Sequence, residues 1–302
     1  MKNHWKLGLL FLVAVLVMGA FAGCAAKTTY ENGTNIVEAS EIATLMEQGN
    51  VVVVDARTAE EYAKGHLQGA IHLDPSELTI SEPVKAMIAP KEQVEKVLGA
   101  KGISETDTVL IYDNKGSVYA GRVWWTMKAY GHENVKLING GEASIVKAGL
   151  SLTADVPSPA AKTYTAQELD KERYATKEEV EALIASEEEN CIILDVRSAA
   201  EYSEGYVTSA VLYPHTKNYY ADGTFKNTQA ISLNYKDLGV EKDTLVVAYC
   251  KSSYRATVTA ALLEEAGYTK VKVYDGAWLE WSATGVVEKP EASAPITTQD
   301  AS

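Results

Sequence analysis

The sequence predicts an α/β protein built as two tandem copies of one domain, each a mainly parallel sheet flanked by helices. The first observation behind this is an internal repeat. Val51-Val52-Val53-Val54-Asp55-Ala56-Arg57 returns 140 positions later as Cys191-Ile192-Ile193-Leu194-Asp195-Val196-Arg197. The same offset joins Glu61-Tyr62 to Glu201-Tyr202 and Gly65 to Gly205. Farther on, Asp107-Thr108 answers Asp243-Thr244 and Gly140 answers Gly276 at an offset of 136, so the first copy carries a few more residues in its middle. The second observation is that the apolar runs are short, β-branched and apolar on both faces, as in parallel strands covered from both sides. The third is that these runs alternate with helical patterns, the order of an α/β domain.

Taken in order, residues 1–23 read as an export signal. Lys2 and Lys6 give a positive start, Leu7 to Phe21 is apolar, and small residues precede Cys24. The arrangement resembles the bacterial lipoprotein signal, which implies that Cys24 is lipidated and becomes the new N-terminus. A plain transmembrane anchor is the alternative, although the apolar run is short for one. Either way the folded part lies outside the cytoplasm, held at a membrane. Residues 24–34 read as a flexible polar tether, 35–155 as the first domain, 156–174 as a linker, 175–288 as the second domain and 289–302 as a disordered tail.

Strands are expected at Val51–Asp55, Val109–Tyr112 and Val135–Ile138, then at Cys191–Asp195, Leu245–Tyr249 and Val271–Tyr274. Helices are expected at Ser40–Gln48, Pro90–Ala100, Tyr119–Tyr130, Thr176–Ser186 and Arg255–Ala266. Ser40 and Thr176 are candidate N-caps, and Gly49, Gly131 and Gly267 stand where a helix would end.

Charge narrows the function. With 28 Lys and Arg against 41 Asp and Glu, the chain is at −13. So acidic a chain, with no basic cluster, excludes nucleic acid as a partner. The histidines have no metal-ligand spacing, and no cofactor or metal is expected. The four tryptophans beyond residue 100 are expected in the core or at a domain interface.

Chemistry concentrates at Cys250, which follows the apolar run Leu245 to Tyr249 and precedes Lys251-Ser252-Ser253-Tyr254-Arg255 and a helical pattern. A cysteine at a strand-to-helix turn sits among backbone N–H groups and at a helix N-terminus, both of which favour the thiolate. Lys251 and Arg255 add whole positive charges. A reachable thiolate is a nucleophile. Asp195 and Arg197 read as a structural pair near this site, because Asp55 and Arg57 repeat them in the other copy. Cys191 heads an apolar strand and reads as core, and a disulfide from it to Cys250 would silence the thiol in an oxidising compartment.

Several pieces together carry a family resemblance: Asp-x-Arg-x-x-x-Glu-Tyr at Asp55 and again at Asp195, Gly65-His66-Leu67-Gln68-Gly69-Ala70, Asp222-Gly223-Thr224-Phe225, Cys250 through Arg255, and Asp275-Gly276-Ala277-Trp278. The chain resembles the tandem rhodaneses, two-domain sulfurtransferases of the thiosulfate and 3-mercaptopyruvate type, from Asn35 to about Glu288. The resemblance implies two rhodanese-like domains. It also implies that the first is catalytically inactive and that the second carries the nucleophile. The sequence agrees, since Asp113 follows Tyr112 where Cys250 follows Tyr249, and a carboxylate cannot take up a sulfane sulfur; residues 35–155 are therefore expected as a scaffold and a wall of the cleft. The family often has Gly where Ser253 stands, a residue suited to positive φ, so the backbone at Ser253 is left open. Two-domain members also place a substrate-binding Arg where this chain has Glu201.

The activity implied is transfer of a sulfane sulfur from a small anionic donor to a thiol or cyanide-like acceptor, through a persulfide on Cys250. Lys251, Ser252, Ser253, Tyr254 and Arg255 are the expected loop and substrate contacts. Thiosulfate is the favoured donor and 3-mercaptopyruvate the other. The Cys-x4-Arg loop is shorter than the Cys-x5-Arg cradle of phosphatases, which argues against phosphate chemistry. The competing reading is a persulfide carrier, or a sulfur- or redox-sensing binding protein at the cell envelope, without turnover.

Overall fold

The computed structural model describes residue 30 and residues 33–186, 190–284 and 287–290. The expectations for the export signal, for Cys24 and for the tail beyond Pro290 lie outside these residues.

The first domain runs β1 (Ile36–Val37), α1 (Ile42–Met46), β2 (Val51–Asp55), α2 (Ala59–Lys64), β3 (His66–Leu67), β4 (Ile71–His72), α3 (Lys91–Ala100), β5 (Thr108–Tyr112), α4 (Val118–Ala129), β6 (Val135–Ile138), α5 (Gly141–Lys147) and β7 (Leu152–Thr153). The second runs β8 (Tyr174–Ala175), α6 (Lys177–Ser186), β9 (Cys191–Asp195), α7 (Ala199–Glu204), β10 (Val211–Leu212), α8 (Thr228–Lys236), β11 (Leu245–Tyr249), α9 (Tyr254–Glu265), β12 (Val271–Tyr274) and α10 (Ala277–Trp281). The first sheet has the order β1-β6-β5-β2-β4 and the second the matching order β8-β12-β11-β9-β10. Every neighbouring pair in both is parallel. A separate antiparallel pair joins β3 to β7. The six long strands are those expected; the four edge strands are two residues each, too short to leave a periodic pattern.

Alternate residues of each central strand feed different cores. Val54, Val109 and Ile111 face a large core shared by both domains, whereas Val53, Leu110 and Tyr112 face a smaller one on the outer side of the first sheet. The shared core forms where α4 packs on α9, the two helices that follow the central strands. Gly121 permits this approach, because a Cβ there would lie 2.6 Å from Val258 Cγ2. Trp124 and Trp125 are buried here, and Trp125 stacks on Tyr174 of the second domain.

Equivalent hydrogen bonds cross the interface in both directions. The Ile88 N–H donates to Asp275 Oδ2 (2.7 Å), and the Phe225 N–H donates to Asn139 Oδ1 (2.8 Å). Only the first is reinforced by charge: Arg122, fully buried, donates from Nη1 to Asp275 Oδ1 at 2.6 Å.

Ser40, the tether and Cys191 depart from expectation. Ser40 is not an N-cap, since it lies inside a 3-10 turn, Ala39–Glu41, capped by Glu38. Thr176 does cap, accepting from Glu179 N–H while its own N–H donates to Glu179 Oε2. The tether is not free to Thr34. Tyr30 is buried, packs edge-on against Phe225 and donates its hydroxyl to the Lys226 carbonyl. The N–H groups of Thr34 and Asn35 donate to the Glu265 carboxylate. The segment from 156 to 173 has no helix or strand but lies along the first domain, with Tyr164 and Ala166 buried and the Lys162 N–H on the Gly99 carbonyl.

Cys191 is half-buried rather than a core residue. It pairs in register with Leu245, the first residue of β11, while Cys250 follows the last. Five residues of strand separate the two by about 16 Å at the usual rise, beyond the reach of a disulfide. Neither forms a disulfide among the described residues.

Candidate active site

Cys250 leaves the C-terminal end of β11, the central strand of the second sheet, and α9 begins four residues later at Tyr254. The intervening turn is fixed from behind. The Cys250 and Lys251 carbonyls accept from the N–H groups of Trp278 and Leu279 in α10, at 3.0 and 3.1 Å. Ser253 is buried at φ 64°, in the left-handed region, and donates its hydroxyl to the Tyr274 carbonyl at 2.7 Å. The serine thus supplies the positive φ that a glycine would have given, and its hydroxyl bond offsets the strain.

The first copy shows what this kind of turn holds. Asp113 occupies the position after β5 and is buried. Its carboxylate accepts four backbone hydrogen bonds, from Lys115 and Ser117 N–H to Oδ1 (2.8 Å each) and from Tyr119 and Ala120 N–H to Oδ2 (2.7 and 2.9 Å). Burial pushes the Asp113 carboxyl up, against the pull of these four donors. Ser117 sits at φ 60° as the residue before α4, the twin of Ser253 before α9. The loops therefore match at their serines, and the first is one residue longer. Among the described residues no protein acceptor takes the N–H of Lys251, Ser252 or Tyr254.

Cys250 is 1 % exposed, yet it lines a cleft of about 890 Å³. Lys251, Ser252, Tyr254 and Arg255 line the same cleft, and the opposite wall comes from the first domain, including Ser76, Lys85, Lys115 and Tyr119. Lys251 is exposed. Tyr254 packs edge-on to Tyr119 and lies beneath the buried Arg122 guanidinium.

Arg255 is not free. Its two terminal nitrogens donate to both oxygens of Glu201, at 2.7 and 2.8 Å. These bonds first, and against burial the neighbouring Cys250 sulfur, hold the guanidinium pKa above its ordinary value. In return the Arg255 bonds hold Glu201 down at about 2. Burial, then the Arg255 charge, keeps His215 below the usual imidazole range.

Asp195 and Arg197 stand apart from the cleft. Both are buried, Arg197 Nε and Nη2 donate to the Asp195 carboxylate, and Nη2 also donates to the Gly205 carbonyl at 2.6 Å. Trp278 covers the guanidinium at 4.3 Å, and the Tyr249 hydroxyl donates to Asp195 at 2.6 Å. Asp55, Arg57, Gly65 and Tyr112 reproduce the arrangement in the first copy.

The first domain does form a wall of the cleft, as expected; the contacts that sequence reasoning missed are the Glu201–Arg255 fork and the particular residues of that wall. Glu201 carried a signal, its recurrence as Glu61. The individual wall residues carried none, because they meet the cysteine only across the interface.

With this geometry in view, comparison with known proteins gives a consistent result. Residues 38–148 and 176–284 each match the rhodanese-like domain family. A protein of Saccharopolyspora erythraea named "Putative thiosulfate sulfurtransferase" is 34% identical over 249 residues, 76% of this chain and 87% of its own. "Sulfur carrier protein TtuD" of Thermus thermophilus is 32% identical, covering 73% of this chain and 83% of its own. Among solved structures, the 3-mercaptopyruvate sulfotransferase SseA from Escherichia coli superposes with a TM-score of 0.73 at 25% identity, over 81% of this chain and 99% of that one. An anaerobic ergothioneine biosynthesis enzyme from Chlorobium limicola gives 0.79 at 22% identity, over 87% of this chain and 71% of that one, a likeness of fold.

Proposed function

The chain belongs to the rhodanese-like family, as a sulfurtransferase with two of its domains in tandem, and from that premise we propose that Cys250 carries the transferred sulfur as a persulfide, with thiosulfate as the donor. The Cys250 thiolate attacks the outer sulfur of thiosulfate. The S–S bond of the donor breaks and sulfite leaves with its electron pair. The enzyme keeps Cys–S–S⁻. A nucleophilic acceptor such as cyanide then takes the terminal sulfur, and the thiolate is regenerated, a two-step covalent cycle.

The observation that carries this reading is the twin loop. In the first copy the turn after the central strand holds a carboxylate by four N–H groups. In the second, a sulfur stands at that position beside an open cleft. Loop N–H groups aimed at a built-in carboxyl group in one copy suit a transient anion, the persulfide, in the other. The name of the Saccharopolyspora relative supports thiosulfate.

The test is sulfur transfer from thiosulfate to cyanide by the full chain and by Cys250→Ser. Transfer is expected in the first alone, with a gain of one sulfur atom on Cys250 in the intact mass. Equal rates in both end the assignment. A second reading, a persulfide carrier, is favoured by the near-complete burial of Cys250 and by the Thermus relative's name. A carrier keeps the added sulfur when cyanide is supplied; an enzyme sheds it. We propose further that the protein works outside the cytoplasm, anchored through a lipid on Cys24, which radiolabelled palmitate incorporation in the wild type and its loss in Cys24→Ser would support.

A further inference from the structure

The cleft is far more positive than the molecule that carries it. Five cationic side chains line it, Arg57, Lys85, Lys115, Lys251 and Arg255, against one carboxylate, Asp74, in a chain at −13. Two of the five are already matched. Arg57 is engaged by Asp55 and Glu142, and Arg255 by Glu201. Lys85 and Lys251 make no ion pair among the described residues, and Lys115 has only a 3.5 Å contact with Glu61. The unmatched charge therefore rests on three lysines, and two of them come from the domain without the nucleophile.

The backbone beneath each of those two is pinned. Lys115 donates its N–H to Asp113 Oδ1, and the next carbonyl, that of Gly116, accepts from the Tyr219 hydroxyl of the second domain at 2.6 Å. Lys85 precedes Ala86, whose N–H donates to the Ile80 carbonyl and whose own carbonyl accepts from Arg122 Nη2 at 2.9 Å. Fixed backbone with a free cationic head is the arrangement of a charge clamp, since little order is lost when the anion arrives.

We infer that the first domain supplies the donor-holding cations of this enzyme: Lys85 and Lys115 grip the charged end of a small dianionic sulfur donor while its outer sulfur meets Cys250. The inference rests on the proposed reading of Cys250 as the sulfur acceptor. It gives the first domain a binding task although its own loop is closed by Asp113.

The test uses the full chain and the double variant Lys85→Gln/Lys115→Gln, with folding checked by thermal melting. One measurement is independent of turnover: the rates at which anionic iodoacetate and neutral iodoacetamide label Cys250. In the variant the iodoacetate-to-iodoacetamide ratio is expected to fall about fivefold or more at low salt, and less in high salt, where the charges are screened. The KM for thiosulfate is expected to rise about tenfold with kcat within about twofold, the mark of lost ground-state binding. An active variant whose ratio and KM both match wild type overturns the clamp and leaves the sulfurtransferase reading standing. A wild type that never acquires sulfur, in which the ratio still falls in the variant, keeps the clamp and removes that reading. Failure of both reagents to reach Cys250 overturns the clamp as well, because no anion then meets the thiol.

Discussion

The two copies place different atoms at one point of the same fold. After β5 the first has Asp113, whose carboxylate is satisfied by four N–H groups of its own loop. After β11 the second has Cys250, with cations and a cleft around it. Three features behind the two loops are shared: a serine at positive φ before the helix, an Asp–Arg pair, and a tyrosine hydroxyl on that Asp. On the reading proposed for Cys250, the difference teaches that the scaffold makes an anion site and that one residue decides whether the anion is built in or left to enter. The first copy is locked by its own side chain, which frees its surroundings for other work at the shared cleft.

The sharpest way to break the comparison is to write the first copy's residue into the second. Cys250→Asp puts a carboxylate where the sulfur stands. Sulfur transfer is expected to fall by on the order of 10³-fold or more, as when a nucleophile is removed. The melting temperature is expected to hold or rise, as the carboxylate takes the loop N–H groups. A large drop in melting temperature would mean that the second loop cannot form the Asp113-type cradle, and the analogy would fail.

The next largest effect is expected at the interface, where the copies again differ by one charge. Asn139 and Asp275 hold equivalent N–H groups across the domain boundary, but only Asp275 also holds Arg122. Asp275→Asn keeps an acceptor for Ile88 and leaves a fully buried guanidinium unpaired, at a cost of about 3–5 kcal/mol. Asn139→Asp sets a new carboxylate against Glu38, to which the amide now donates at 3.1 Å. It is expected to cost less, because Glu38 is only part-buried. Urea midpoints of the two variants order these costs, and a smaller loss in Asp275→Asn would reverse the argument.

Much of this was legible in the chain itself. The repeat located both domains because Asp55, Arg57 and Tyr62 do the same structural work as Asp195, Arg197 and Tyr202, and such work constrains residue type. The six central strands were legible because burial on both faces leaves an unbroken apolar run. Cys250 stood out by its place between strand and helix. Tyr30 was not legible, since a lone tyrosine in a polar stretch gives no sign of the Phe225 pocket that takes it. Neither was the role of Ser253, for its φ is held by a hydroxyl bond to Tyr274, a carbonyl 21 residues away. That the first domain walls the cleft was legible, but which of its residues do so was not, for the same reason: it depends on how two domains meet.

The lock in the first copy can be opened directly. Asp113→Ala strips four N–H groups of their acceptor in a buried loop and is expected to cost about 2–4 kcal/mol. Asp113→Asn retains one acceptor oxygen and is expected to cost less. Because Lys115 rides on this loop, Asp113→Ala should also raise the KM for thiosulfate, a change that a purely structural role elsewhere in the domain would not produce. A stability loss with unaltered KM would separate the lock from the cleft.

The smallest effect concerns the carboxylates that flank the two loops. Glu61 and Glu201 are twins, both held at about 2, the first chiefly by Asn114 and the second chiefly by Arg255. A carboxyl whose pKa is lower in the folded state lends stability above its unfolded pKa, near ~4.5, and loses it as the pH falls toward 2. Neither residue should therefore give a limb to the activity profile between pH 5 and 8. Both are partly exposed, so Glu61→Gln and Glu201→Gln are each expected to cost about 1 kcal/mol or less. Activity should separate them. Glu61 caps its own helix through Thr58 and touches Asn114 and Lys115 of the closed loop, so its loss should leave kcat unchanged and move the KM for thiosulfate by no more than about twofold. Glu201 orients the Arg255 fork beside the sulfur, and its loss is expected to lower kcat/KM by about three- to tenfold through misplacement of that charge. If the Glu201 and Glu61 variants turn over alike, the fork is a stabilising pair that the second copy shares in kind with the first, and the functional difference between the copies narrows to the cysteine alone.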